Sequence, residues 1–202
     1  MADNITPPNL PIAPAIYEQR YQDQFGNVLR LFFNRITNKV NSPLPHASYF
    51  DTTTQTNPVA DTVNLFTYNS VISEYQITRS TPASKIYVNQ TGIYNFQFSA
   101  QLDKTGGSAS AVYIWPRING VNLPDSATKI VIDGPNNEIV AAWNFVLVLE
   151  AGDYFELAWQ SSDTDVVIRE EAASGNIPEI PSIILTVNWV SNYGSAIYQT
   201  AT

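Results

Sequence analysis

The 202-residue chain has no cysteine and a single histidine, His46. Without thiols there is no disulfide framework, no thiolate zinc site and no cysteine nucleophile. One histidine, set between Pro45 and Ala47 in a Pro-rich stretch, excludes a histidine-based metal cluster and makes a Ser–His–Asp triad improbable. Charge is scarce as well: Asp, Glu, Lys and Arg make up 14% of the residues, against roughly 25% in an average soluble domain. Ten basic residues against 18 acidic ones leave a net charge of −8. With no clustered Lys and Arg to neutralise phosphates, the chain is read as not binding nucleic acid. No run approaches the ~20 apolar residues of a membrane span, so no membrane insertion is expected. Residues 1–14 lack a basic region followed by an apolar one, the pattern of a secretory signal; the expectation is synthesis in a cytoplasm without an export signal of its own.

Catalytic motifs are absent too. The stretch DKTGGSAS at 103–110 is rich in Gly and Ser but lacks the order of a phosphate-binding loop, and there is no Gly-x-Ser-x-Gly elbow. Asp163–Asp165 and Glu170–Glu171 are carboxylate pairs of the kind that hydrolyse glycans, but adjacency in sequence does not set the separation this requires, and Asp163–Asp165, a candidate for calcium, lacks the Gly and downstream Glu of an EF-hand loop. The reading is a solvated loop, no catalytic residue, no metal and no cofactor.

What is present in quantity is aromatic: 11 Tyr, 9 Phe and 4 Trp, 12% of the chain. That is enough to bury a substantial core in one domain. Along the chain, Pro7, Pro8, Pro11 and Pro14 fix an extended, polyproline-like arm, either a disordered tail or a strap along another subunit. Residues 15–37 form the one convincing helix. Tyr17, Tyr21, Phe25, Val28, Leu29, Phe32 and Ile36 recur every three or four positions and draw an apolar stripe, widened by Leu31 and Phe33. Such a stripe must be covered, by its own domain, by a helix bundle about an oligomer axis or by a partner. Residues 38–60, rich in Asn, Ser, Thr and Pro, read as a linker ending in a first short strand.

From about residue 61 to 190 the period changes to two. Tyr94, Phe96, Phe98, Ala100 and Leu102 alternate with polar residues. So do Trp143, Phe145, Leu147 and Leu149; Phe155, Leu157 and Trp159; and Ile183, Leu185, Val187 and Trp189. Shorter strands are expected at 63–68, 71–77, 85–88, 111–118 and 129–132. Pro116 places its run at an edge or a bulge. Turn chemistry at Thr91-Gly92, 104–107, Asn119-Gly120, 134–137 and 151–153 joins the strands without intervening helices. The fold class is all-β, a sandwich or jelly roll. The stretch 191–202 reads as a surface tail.

The order of these segments resembles the C1q/TNF-like jelly roll over about residues 85–190. The resemblance rests on TGIYNFQFSAQ, VYIWPRING, WNFVLVLEAGDYFELAW and IILTVNWV, with Gly92, Tyr94, Phe96, Arg117, Asn119, Gly120, Leu149, Gly152 and Asp153 at the motif positions. The segment LPIAPAIYEQRYQDQFGNVLRLFFNRI resembles the N-terminal part of structural proteins from tailed phages, notably cyanophages, which place it ahead of such a domain. The two resemblances imply an arm and helix over 1–45 and a C1q/TNF-like domain over 46–202, in a non-enzymatic virion protein forming a homotrimer. Residues 1–37 would then attach to other virion proteins. Loops near 103–110, 133–138 and 161–178 would face solvent, available to a host-surface glycan or protein. The role is a tail or head fibre for host recognition, or a head decoration protein; a glycan-degrading appendage and a soluble adhesion module unrelated to viruses are the remaining alternatives. The residues expected at interfaces are Tyr17, Tyr21, Phe25, Val28, Phe32 and Ile36 on the helix, and part of the set Tyr94, Phe96, Tyr113, Trp115, Tyr154 and Trp189 toward the threefold axis.

Overall fold

The computed structural model describes residues 6–192; the tail read at 191–202 lies almost wholly outside the described residues. The chain divides between Pro43 and Leu44 into two compact units.

In the first unit, helix α1 spans Gln19–Val40, four residues later and three residues further than the apolar period indicates. Glu18 is still extended, with φ −127° and ψ 120°, and its carbonyl accepts the first helical bonds from Tyr21 and Gln22. The helix passes Thr37 because nothing stops it before Pro43, which disfavours helical backbone in the residue ahead of it. Ser42 closes the end by donating its hydroxyl to the Asn38 carbonyl at 2.7 Å. Tyr21, Phe25, Val28, Leu29, Phe32 and Ile36 are half-buried, and Leu31 and Phe33 are exposed; no residue of the helix is buried. The arm does not trail away as a free tail. Pro8, Pro11 and Pro14 are half-buried at the three-residue period of a polyproline helix, and the Tyr21 hydroxyl donates to the Pro11 carbonyl at 3.3 Å.

The second unit is an all-β jelly-roll sandwich with fourteen strands among the described residues, every pairing antiparallel. In chain order they are β1 (His46–Asp51), β2 (Gln55–Thr56), β3 (Asn64–Leu65), β4 (Ser70–Tyr75), β5 (Ile77–Arg79), β6 (Ile86–Val88) and β7 (Gly92–Lys104). Then follow β8 (Ser110–Ile118), β9 (Val121–Asn122), β10 (Thr128–Ile132), β11 (Asn137–Leu149), β12 (Tyr154–Ser161), β13 (Val166–Ile168) and β14 (Ile183–Ser191). One sheet is built on β7, which carries β14 and β13 along one side and the full length of β11 along the other, with β1 and β4 beyond β14 and β2 beyond β13. The other sheet centres on β8 and β12, flanked by β10 and β9 on one side and by β6, β5 and β3 on the other.

The alternating residues do what period two demands: Tyr94, Phe96, Phe98, Ala100 and Leu102 of β7 all point into the core. Phe96 stacks on Phe155 of the opposite sheet with ring centroids 4.1 Å apart, and Phe66 ties Phe98 to Trp159. Burying a side chain of this size contributes roughly 1.5–3 kcal/mol, so this aromatic layer is what holds the sheets together.

Several expectations are corrected. The segment 38–60 is no mere linker: it contains β1, a strand paired on both sides, because Ala47, Tyr49 and Asp51 alternate inward. His46 is therefore a strand residue, its Nδ1 2.8 Å from the Leu44 carbonyl and its ring stacked on Tyr75. Strand β8 is not an edge. Pro116 pairs with Leu157 and is tolerated because its missing N–H would point to the other side, between β10 and β9, where its carbonyl accepts from Leu123. Finally, 161–178 is not all solvent-facing loop, since β13 inside it is buried throughout.

Candidate interaction surfaces

The two sheets turn different faces outward. On the β7 sheet the outward residues are those alternating with the core. Tyr75 and Ser73 come from β4, His46, Ser48 and Phe50 from β1, and Ile184, Thr186 and Asn188 from β14. Strand β7 presents Ile93, Asn95, Gln97, Ser99 and Gln101, and β11 presents Val140, Ala142, Asn144, Val146 and Val148. None of these outward residues is Asp, Glu, Lys or Arg. Charge begins only at the far end, where Asp103 faces Glu138 across the ladder and is neutralised by Arg169. Val140, Val146 and Val148 are 56%, 61% and 45% exposed. The polar side chains between them are amides, and Asn144 donates to Asn95 at 2.8 Å.

Strand β11 adds a second feature. Among the described residues it pairs only with β7, so a 13-residue strand leaves one full edge open. Trp143, Phe145 and Leu147 on its inner side are only half-buried, although Trp143 packs edge-on against Phe98 at 4.6 Å.

The β8 sheet is different. Arg117 and Glu156 pair across its outer face at 3.8 Å, Lys129 approaches the Tyr113 ring at 5.9 Å, and Lys85 lies 4.4 Å over the Tyr154 ring, which also stacks near Tyr87. A groove of about 760 Å³ opens beside Tyr113 and Trp115, lined further by Asn122, Leu123, Asp125, Ser126, Ala127 and Gln160. Its wall is locally built. Asn119 and Gly120, at φ 52° and 78°, make the two-residue turn that folds β9 back on β8. That return brings Asn122 to Trp115, whose indole N–H donates to its Oδ1 at 2.9 Å.

The expected interface residues separate accordingly. Tyr94 and Phe96 are fully buried between the sheets and are corrected from axis to core: strand alternation defines two faces, and these lie on the inner one. Trp189 is half-buried at the rim of the core, over Gly92, where a Cβ would lie 2.2 Å from its Nε1. Tyr113, Trp115 and Tyr154 belong to the β8 sheet, with Tyr113 exposed and Trp115 almost covered. On the helix, Tyr17 precedes α1 and is 78% exposed, whereas Tyr21, Phe25, Val28, Phe32 and Ile36 share one stripe. The sequence reading missed the uncharged outer face itself, although its signal, the run of amides and hydroxyls between the core positions of β7, is visible there.

The carboxylate pairs are structural. Asp163 accepts a charged hydrogen bond from the wholly buried Lys104 and another from Ser110 at 2.8 Å. The Lys104 bond, then the Asp165 amide and Ser110, hold its carboxyl down at about 2. Glu170 is half-buried and Glu171 joins an isolated bridge to Ile180. Among the described residues no group of three or more His, Asp or Glu side chains is placed to hold a metal ion, and no helix is long and apolar enough to cross a membrane.

No protein-family model matches the chain, and no curated protein matches it. Among solved structures, the globular domain of zebrafish complement 1qA protein is similar to it, with a TM-score of 0.44 and 12% identity, covering 74% of this chain and 99% of that one. At that identity the likeness concerns fold alone.

Proposed function

We propose that the chain is a non-enzymatic structural module that self-associates through the outer face of the β7 sheet into a homotrimer and is carried on a virion through its N-terminal arm and helix. The observation that carries the reading is a five-strand outer face whose charged residues lie only at one end. On a chain of net charge −8, a surface of valines, isoleucines and amides with its charges confined to one end has the composition of an interface core, where charged residues are depleted. The open edge of β11 borders the same face, so one neighbouring copy covers both. The threefold count is supported by the resemblance of residues 85–190 to C1q/TNF-like domains, and the virion setting by that of residues 10–36 to tailed-phage structural proteins. Host recognition is favoured over head decoration by the groove on the β8 sheet, which faces away from the assembling surface and stays open after it is covered.

Light scattering on the full chain tests the core of this reading. A species near 67 kDa, three times the 22.4 kDa chain, is expected, and removal of residues 1–43 leaves it trimeric. A monomer in both forms sinks the proposal; a dimer keeps the face and discards the threefold count.

A further inference from the structure

The groove beside Tyr113 has the chemistry of a recognition site, and its lining narrows what it takes. Its volume, about 760 Å³, falls in the ~300–1,000 Å³ range of small-ligand sites. The floor is the ring of Tyr113, 39% exposed, with Gln160 directly across the ladder on β12. Trp115 lines it as well, together with the segment from Asn122 to Ala127, whose Asn122 is bonded to the Trp115 indole.

Several polar groups around this ring keep unused hydrogen-bonding capacity. Asn122 accepts the Trp115 indole with its carbonyl oxygen, and its amide nitrogen makes no hydrogen bond among the described residues. The same holds for the side chains of Gln160 and Asp125 and for the Tyr113 hydroxyl. The rim is held in place beforehand: Leu123 donates its N–H to the Pro116 carbonyl at 3.1 Å, the Ser126 hydroxyl donates to the Leu123 carbonyl at 2.7 Å, and Asp125 sits at φ 56°. A site assembled before binding loses less freedom when the ligand arrives.

We infer that this groove binds a neutral pyranose unit of a glycan, stacked on Tyr113 and hydrogen-bonded by Asn122, Asp125 and Gln160. A pyranose has a face of C–H groups, which suits an exposed aromatic ring, and a rim of hydroxyls that both donate and accept. Two amides and a carboxylate, each with free capacity, match that rim. An anionic sugar or a phosphate is disfavoured, because the one charged residue in the lining is Asp125 and the chain is acidic overall. Lys129 leans toward the Tyr113 ring rather than lining the groove.

The inference deepens the recognition reading above and rests on it for the ligand's setting. Assembly through the β7 sheet leaves one groove per copy facing outward, so weak single sites would add up on a surface bearing many sugars.

The test is calorimetry and saturation-transfer NMR on the full chain with maltotriose, cellotriose, lactose and mannotriose, and with 3′-sialyllactose as the acidic counterpart. Saturable binding of at least one neutral sugar, one site per chain, is expected. Tyr113→Ala and Gln160→Ala each weaken it by about tenfold or more, while Val131→Ala, on the neighbouring strand outside the groove, leaves it unchanged. Circular dichroism verifies that each variant is folded. The inference is overturned if none of the neutral sugars binds, if only sialyllactose does, or if both groove variants bind as well as the parent. Because small sugars are read per chain, a monomeric protein that still binds them defeats the trimer reading alone, and a trimer that ignores them defeats only the groove.

Discussion

Two sheets share one aromatic core in this protein, yet their outer faces have little in common. The β8 sheet carries Arg117, Glu156 and Lys129 among its aromatics, with Arg117 paired to a nearly buried Glu156. The β7 sheet shows five strands of amides, hydroxyls and branched aliphatics, with its charges gathered at the β13 end. A jelly roll needs only its inner faces to fold. The asymmetry between the outer ones is therefore not needed for folding, and it is what the proposed self-association and the proposed sugar site each rest on.

That contrast breaks most visibly if charge is moved. Gln97→Glu places a carboxylate at the centre of the uncharged face and is expected to convert the assembly from about 67 kDa to the 22.4 kDa chain without unfolding it, because an unpaired buried charge is strongly penalised. Val131→Glu, on the half-exposed outer side of β10, is the matched control and leaves the mass unchanged in light scattering.

A second, smaller effect sharpens the reading of the charged end. Lys104 has no exposed side-chain surface and Asp163 has 24%. Asp163→Asn leaves the ammonium without its counter-ion and is expected to cost about 2 kcal/mol in urea unfolding, less than for a fully buried pair because Asp163 is partly solvated. The acid limb carries the same information. With its folded-state pKa at about 2, below the ordinary 3.8, Asp163 binds its proton more readily in the unfolded chain. Its contribution is therefore complete above about pH 4 and is lost as pH falls through about 2. Comparing urea midpoints at pH 5 and pH 2.5 is expected to show a smaller acid-side loss in Asp163→Asn than in the parent.

A stability effect of similar size concerns the seam between the faces. Gly92→Ala puts a methyl where Trp189 lies, 2.2 Å from the indole nitrogen and 2.9 Å from the Ser191 carbonyl. A loss of about 1–3 kcal/mol is expected from overpacking, read as a lowered urea midpoint with the mass unaffected.

Much of this architecture was legible before any coordinates. The long strands announce themselves because one face must be apolar at every second residue, as Tyr94 to Leu102 shows. The short ones do not. His46–Asp51 hides its alternation behind Ala47 and a buried carboxylate, and Val166–Ile168 is three apolar residues in an acidic neighbourhood. Helix ends depend on where Pro14 and Pro43 stop acting, which the apolar period alone does not locate. For the surfaces, alternation separates two faces without saying which is outward, and the largest aromatics drew attention to the inner one. The groove was hidden for another reason. Tyr113 and Trp115 stand out in sequence, but the rim facing them depends on the return of β9 and on the Trp115–Asn122 bond.

The open edge of β11 has one more consequence, for handling and for the cell. Thirteen residues of extended backbone, without a proline or a lysine and with Glu138 as the only charge, form a template on which any other extended chain can grow. If the proposed self-association covers that edge, a protomer that has not docked keeps a strand open to stacking into fibrous aggregate. Both outcomes need copies to meet, so what decides between them is how quickly that edge is covered rather than how concentrated the preparation is.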